Sequence, residues 1–147
     1  MPLGKMYSYL LVLLQFIFIF LLTIYADSKN LGFIQYGFIF LSLWLGTWAL
    51  FVMRKSKLKI TPDVSKDAIL IKKGPYRYIR HPMYTAVLFF CFGLALTNFF
   101  TTTFEFLIVL FLVLSFKIHY EEVQLNKSFE KYKAYSKKTK KLIPFIY

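Results

Sequence analysis

The densest chemistry in this chain lies in one basic, aromatic run: Lys73, Gly74, Pro75, Tyr76, Arg77, Tyr78, Ile79, Arg80, His81, Pro82, Met83 and Tyr84. Gly-Pro stands near one end and His-Pro near the other. A residue before proline is pushed out of the α region, so the bracket predicts an ordered, non-helical loop. Pro82 then suits the first turn of a helix, where its missing N–H costs nothing. Arg80 and the free N–H groups of that helix start can hold a carboxylate. Arg77 and Arg80 can equally touch lipid phosphates, and His81 can simply cap the helix.

A second chemical feature is the adjacent pair Glu121 and Glu122. Neighbours on a helix diverge by about 100°, so the two cannot both face one ligand. One is expected to point inward, while the other can pair with Lys117, four residues earlier. The plain alternative is two solvated helix carboxylates. A wall with Arg80 and a helix N-terminus, opposite a wall with carboxylates, suits a zwitterionic ligand better than a simple ion. Cys91 is the one cysteine, which excludes an internal disulfide framework and a thiolate zinc site and reads as a small packed hydrophobe. His119 reads as a surface residue, and no His, Glu or Asp spacing resembles a metal site.

These residues must be positioned by apolar elements. The 58% hydrophobic content, with 18 Phe and 11 Tyr, exceeds what a soluble core of 147 residues could bury. Residues 6–25 form an apolar run interrupted only by Ser8, Gln15 and Thr23. That is long enough to cross about 30 Å of hydrocarbon and too long for a signal-peptide core. Further spans are expected at 31–53, 83–100 and 104–120, the last running past the membrane surface because residues 117–135 contain no Gly or Pro. The expected fold is therefore an all-α integral membrane protein with four transmembrane helices in a single domain, residues 1–147. A cytosolic loop would cover 54–82, with a short strand or interfacial segment at 68–71, and a cytosolic helical tail 121–147. Gly32, Gly37 and Gly46 offer close helix approach. Trp44 and Trp48 suit interface anchoring.

Charge supports this layout. The net charge is +12, but nine of the 19 basic residues fall between Arg54 and Arg80 and eight between Lys117 and Lys141. Such blocks beside apolar spans argue against nucleic acid. They follow the positive-inside pattern and suit anionic headgroups. Both termini are then cytosolic. The loop before span three, the inner, negative end of span four and the tail meet at one membrane face, where they would form a pocket.

Gly74-Pro75-Tyr76, Arg80-His81-Pro82-Met83-Tyr84, Glu121-Glu122-x-x-Leu125, Phe129, Tyr132-x-x-Tyr135 and Leu142-Ile143-Pro144, in this order, resemble the isoprenylcysteine carboxyl methyltransferase family, itself related to phospholipid N-methyltransferases. The likeness covers roughly residues 72–144. It implies an integral-membrane enzyme using S-adenosylmethionine, with a cytosolic cofactor pocket and a lipophilic, membrane-dissolved acceptor bearing a carboxylate, amine or thiol. By the same resemblance, Lys73, Gly74, Pro75, Tyr76, His81, Pro82, Tyr84, Glu121 and Glu122 fall at cofactor positions, and Arg80, Tyr84 and Glu122 at the transfer site. Ala86 stands where the family often has Gly. Glu130 follows Phe129 where Gly is common, and the Tyr spacing is one shorter, departures that bear on acceptor identity. Two other readings are a nicotinamide-dependent reductase of lipid double bonds, for which no Gly-x-Gly-x-x-Gly is present, and a non-catalytic protein binding anionic lipid.

Overall fold

The computed structural model describes residues 3–54, 69–98 and 102–144. Among the described residues five helices follow in order: α1 (Leu3–Tyr25), α2 (Phe33–Met53), α3 (Pro82–Ala95), α4 (Thr102–Ser128) and α5 (Tyr132–Lys138). Single 3-10 turns occupy Ser28–Asn30 and Gly74–Arg77. Among the described residues there is no strand, only one parallel bridge between Ile79 and Lys140. Most of the predicted connector, residues 55–68, lies outside the described residues.

Three helices, α1, α2 and α4, are long and apolar enough to cross a membrane. The predicted third span is shorter than expected. With 14 residues, α3 is only about 21 Å long, less than the roughly 30 Å of a hydrocarbon core. Polar residues tie its end down. The Thr97 hydroxyl donates to Leu94 O at 2.7 Å and accepts from Asp27 N at 3.0 Å. Asn98 Nδ2 donates to Tyr25 O, and Gln35 Nε2 to Leu96 O, both at 3.3 Å. Positions 99–101 lie outside the described residues.

α2 lies along α3, and α1 along α4. Leu22, Cys91, Ala95, Leu110 and Leu114 form a fully buried core, joined by Phe18, Val87 and Leu88. Cys91 is thus the packed hydrophobe its surroundings predicted. Of the glycines expected at close approaches, Gly46 faces Ala86, whereas Gly37 faces open space. Between α2 and α3 a tight approach falls at Gly93, where a Cβ would lie 3.0 Å from Phe38 Cβ and 3.2 Å from Gln35 O. Phe16 and Phe20 of α1 and Phe40 and Phe51 of α2 are exposed, as suits faces turned to lipid.

α4 continues past residue 120 to Ser128 and then breaks, although residues 117–135 contain no Gly or Pro. Turning back lets Tyr132 and Tyr135 bury against Leu125, with Phe129 and Leu70 at the edge. A straight continuation would have left both rings in water. Nearly two turns of helix past Glu122 put the helix C-terminus beyond the site, so the negative wall comes from the expected carboxylates and not from the end of the helix.

Candidate functional site

The loop before α3 is one turn of 3-10 helix, not the wholly non-helical bracket predicted. Gly74 starts it with φ +58°, a conformation that L side chains seldom adopt. A Cβ here would also lie 2.9 Å from Val52 Cγ2 and 3.2 Å from Trp48 Nε1. Gly74 therefore seats the loop on the end of α2. Pro75 is buried, and its carbonyl accepts from Tyr78 N and Ile79 N, both at 3.1 Å. Pro82 is buried at the start of α3. Lys73 is exposed.

The tail lies against this loop. Arg80 N donates to Lys140 O at 2.8 Å, His81 N to Lys141 O at 3.0 Å, and Lys140 N to Tyr78 O at 3.1 Å. Thr85 Oγ1 adds a bond to Leu142 O at 2.7 Å, and Tyr135 Oη one to Tyr76 O at 2.5 Å.

Arg80 sits at the crossing. Its Nε donates to Glu122 Oε1 at 2.6 Å, and Nη1 to Ser136 O at 2.8 Å and to Thr139 O. The guanidinium thus joins loop, α4 and tail.

His81 lies between the two carboxylates. Its Nδ1 is 3.6 Å from Glu121 Oε2 and its Nε2 3.4 Å from Glu122 Oε1. Its side chain makes no capping bond to α3. Adjacent glutamates were expected to face different partners, but an imidazole has nitrogens on two edges, and each edge meets one carboxylate. Tyr84 completes the group, with its Oη donating to Glu121 Oε2 at 3.0 Å and its ring stacked on His81 at 5.6 Å between centroids. Lys117 is not in an ion pair among the described residues; its Nζ donates to Gln15 Oε1 at 2.7 Å.

Beside this cluster lies a cleft of about 40 Å³ lined by Tyr76, Arg80, His81, Glu121, Leu125, Phe129, Tyr132 and Tyr135, with residues 69–71 as one wall. Tyr76 and Tyr132 are 3% and 1% exposed, and neither hydroxyl has a hydrogen-bond partner among the described residues. Burial, then the charge of Glu121, holds the Tyr76 phenol well above the ordinary tyrosine range. Burial does the same to Tyr132, with Glu122 adding to it. Burial also pushes Tyr135 up to about 12, against the Arg80 guanidinium, which pulls it down. All three therefore remain neutral at ordinary pH. A buried, unpaired hydroxyl costs about 1–3 kcal/mol, and both of these tyrosines line the cleft. Tyr132 was legible only as part of its spacing with Tyr135 and was not among the predicted site residues.

On the other side of Arg80, residues 136–141 frame a basic cavity of about 300 Å³. An apolar groove of about 450 Å³ runs between α3 and α4, lined by Phe38, Leu88, Phe89, Phe92, Phe104, Leu107, Ile108, Phe111 and Ile143. Among the described residues no group of His, Cys, Asp and Glu could hold a metal.

Residues 31–132 match the phospholipid methyltransferase family. The chain belongs to that family. Its matched segment runs from the start of α2 to the start of α5 and includes every predicted site residue. The chain is also similar to the protein-S-isoprenylcysteine O-methyltransferase of Schizosaccharomyces pombe, with 31% identity over 136 residues. That alignment covers 90% of this chain and 55% of the relative, so the chain spans little more than half of that protein. No solved structure matches. The family match does not favour a nicotinamide-dependent reductase or a non-catalytic lipid binder.

Proposed function

We propose that this phospholipid methyltransferase family member transfers a methyl group from S-adenosylmethionine to a lipophilic acceptor dissolved in the membrane, at the inner leaflet. The observation that carries the reading is the convergence of Arg80, His81, Tyr84, Glu121 and Glu122 beside a cleft lined by two buried tyrosines whose hydroxyls have no partner among the described residues. In this reading α3 serves as a fourth, short transmembrane element and both termini are cytosolic.

The residues present fit the cofactor. It supplies, when bound, an electrophilic methyl on a sulfonium, together with an ammonium, a carboxylate and a ribose diol. Glu121 and Glu122 offer acceptors for the ammonium or the diol. Tyr76 and Tyr132 offer donors, and their rings a face for positive charge. Gly74, Pro75 and Pro82 hold the backbone around them, while Lys73 adds positive charge at the rim. Arg80 and the start of α3 make the wall that favours a carboxylate. A group of nucleoside size exceeds the cleft's volume of about 40 Å³, so a wall of the cleft has to move outward to admit it.

Arg80, Tyr84 and Glu122 line the transfer site. Methyl transfer is an in-line displacement, so alignment and exclusion of water can lower much of its barrier. A carboxylate or thiolate acceptor needs no strong base. An amine does, and His81 between two carboxylates is placed to take its proton. The apolar groove supports a lipophilic acceptor, and the relative's name favours an oxygen acceptor on an isoprenylated cysteine or a similar lipid. The basic cavity of the tail supports contact with anionic headgroups.

Calorimetry on detergent-solubilised protein tests the cofactor. Binding should be weakened by Glu122→Gln and by His81→Ala, and no heat at millimolar cofactor would overturn the reading. Transfer of labelled methyl groups into a membrane extract then identifies the acceptor.

A further inference from the structure

Lys117 lies within α4 and is 3% exposed. Its Nζ donates to Gln15 Oε1 at 2.7 Å and stands 5.0 Å from the centre of the Tyr84 ring. Among the described residues it has no ion-pair partner. A buried ammonium inside a membrane helix is costly, and such residues are kept where they work. An apolar side chain would fill the same place without that cost.

What the ammonium touches is informative. The Tyr84 ring meets Lys117 and also stacks on His81 at an interplanar angle of 15°. With the ring so held, the phenol has one direction left, and along it Tyr84 Oη reaches Glu121 Oε2 at 3.0 Å. A cation over the ring also draws electron density from the phenol, which makes its O–H a better donor to the carboxylate. Gln15 belongs to α1, outside the segment matched by the family. It is nevertheless 7% exposed and aimed at Lys117.

We propose that Gln15 and Lys117 are positioning residues: they hold the Tyr84 ring so that its hydroxyl stays on Glu121, which makes α1 a working part of the site. Its functional half rests on the methyl-transfer reading; its geometric half does not.

Two measurements test it. The first is isotope-labelled tyrosine NMR in detergent, with the Tyr84 signal assigned by its loss in Tyr84→Phe. Lys117→Met and Gln15→Leu should each move that signal, and Lys117→Arg, which keeps a cation for the ring, should restore most of it. The second is a double-mutant cycle in methyl-transfer kcat. Lys117→Met should lower kcat by about tenfold, the scale of coupling between touching residues, and should have no further effect in a Tyr84→Phe background. A purely structural role predicts instead that the two losses multiply, and that result overturns the proposal. So does a Tyr84 signal unmoved in both variants. Gln15→Leu places an apolar residue in an apolar span, so it carries both tests if Lys117→Met fails to fold. Wild-type protein that transfers no methyl group sinks the methyl-transfer reading while leaving the NMR test intact.

Discussion

Arg80 and Glu122 stand 42 positions apart in the chain and meet at 2.6 Å through Nε and Oε1. Nη1 of the same guanidinium holds the carbonyls of Ser136 and Thr139. One planar fork thereby ties loop, α4 and tail together at a single point. Their side chains are only 9% and 17% exposed, so the attraction is poorly screened by solvent.

Replacing the fork should loosen all three segments together. Arg80→Lys keeps the charge but cannot reach Glu122 and two carbonyls in fixed directions. We expect a loss of roughly 3 kcal/mol, the scale of breaking a mostly buried pair, read as a fall in the melting temperature in detergent. Glu122→Gln removes the anionic partner itself and should cost at least as much stability, and it should weaken cofactor binding by at least about tenfold, a loss on the scale of removing one charge-assisted contact. An Arg80→Lys protein that melts with the wild type would remove this residue from the role.

The two unpartnered phenols separate folding from binding. Tyr132→Phe deletes a buried hydroxyl that pairs with nothing among the described residues, so the free protein should be as stable as the wild type or about 1 kcal/mol more stable. Cofactor affinity should nevertheless fall, as it should for Tyr76→Phe. Calorimetry and a melting curve on the same sample decide it. A variant that melts lower and binds normally would show the hydroxyl to be structural.

Gly74→Ala should destabilise the loop by about 1–2 kcal/mol through its left-handed φ alone, and further through the 2.9 Å approach to Val52. Gly74→Asn relaxes the first term but not the second, because Asn tolerates that conformation. Both variants should therefore melt below the wild type, with Asn the milder. Equal melting of Gly74→Ala and wild type would show that the loop does not rest on α2 as described.

Alkali should release the tail. An unfolded tyrosine ionises at about pH 10, whereas Tyr135 is held up to about 12, chiefly by burial. The folded state thus keeps its proton longer than the unfolded one. The resulting stability is fully present below pH ~10 and is lost as pH rises through about 12. Ultraviolet titration of wild type against Tyr135→Phe should show one phenol missing from the late phase, not from the early one.

How much of this was legible beforehand differs by element. The long spans at α1, α2 and α4 follow from unbroken apolar length. The Glu pair and the His-Pro start of α3 were visible as chemistry because few structural needs put such residues there. Span three was overestimated because its hydropathy continues beyond Ala95, while the helix stops where Thr97 and Asn98 find partners on the first hairpin. The break at Phe129 carries no local signal, since it is driven by burying Tyr132 and Tyr135 against residues far away in sequence. Both carboxylates meeting His81 was likewise beyond a helical-wheel argument, which counts angles and not the two edges of a ring. Gln15 looked like a mere interruption in an apolar run until Lys117, 102 residues later, supplied its partner.

The bridge between Ile79 and Lys140 sets an order of events during synthesis. While a ribosome still shelters the stretch around Lys140 in its exit tunnel, α1 to α3 can already insert, but Arg80 has neither Glu122 in place nor the carbonyls of the tail. The nascent protein at that stage has its apolar helices but not the joined loop, α4 and tail, which come together only once the final described segment folds back on the loop.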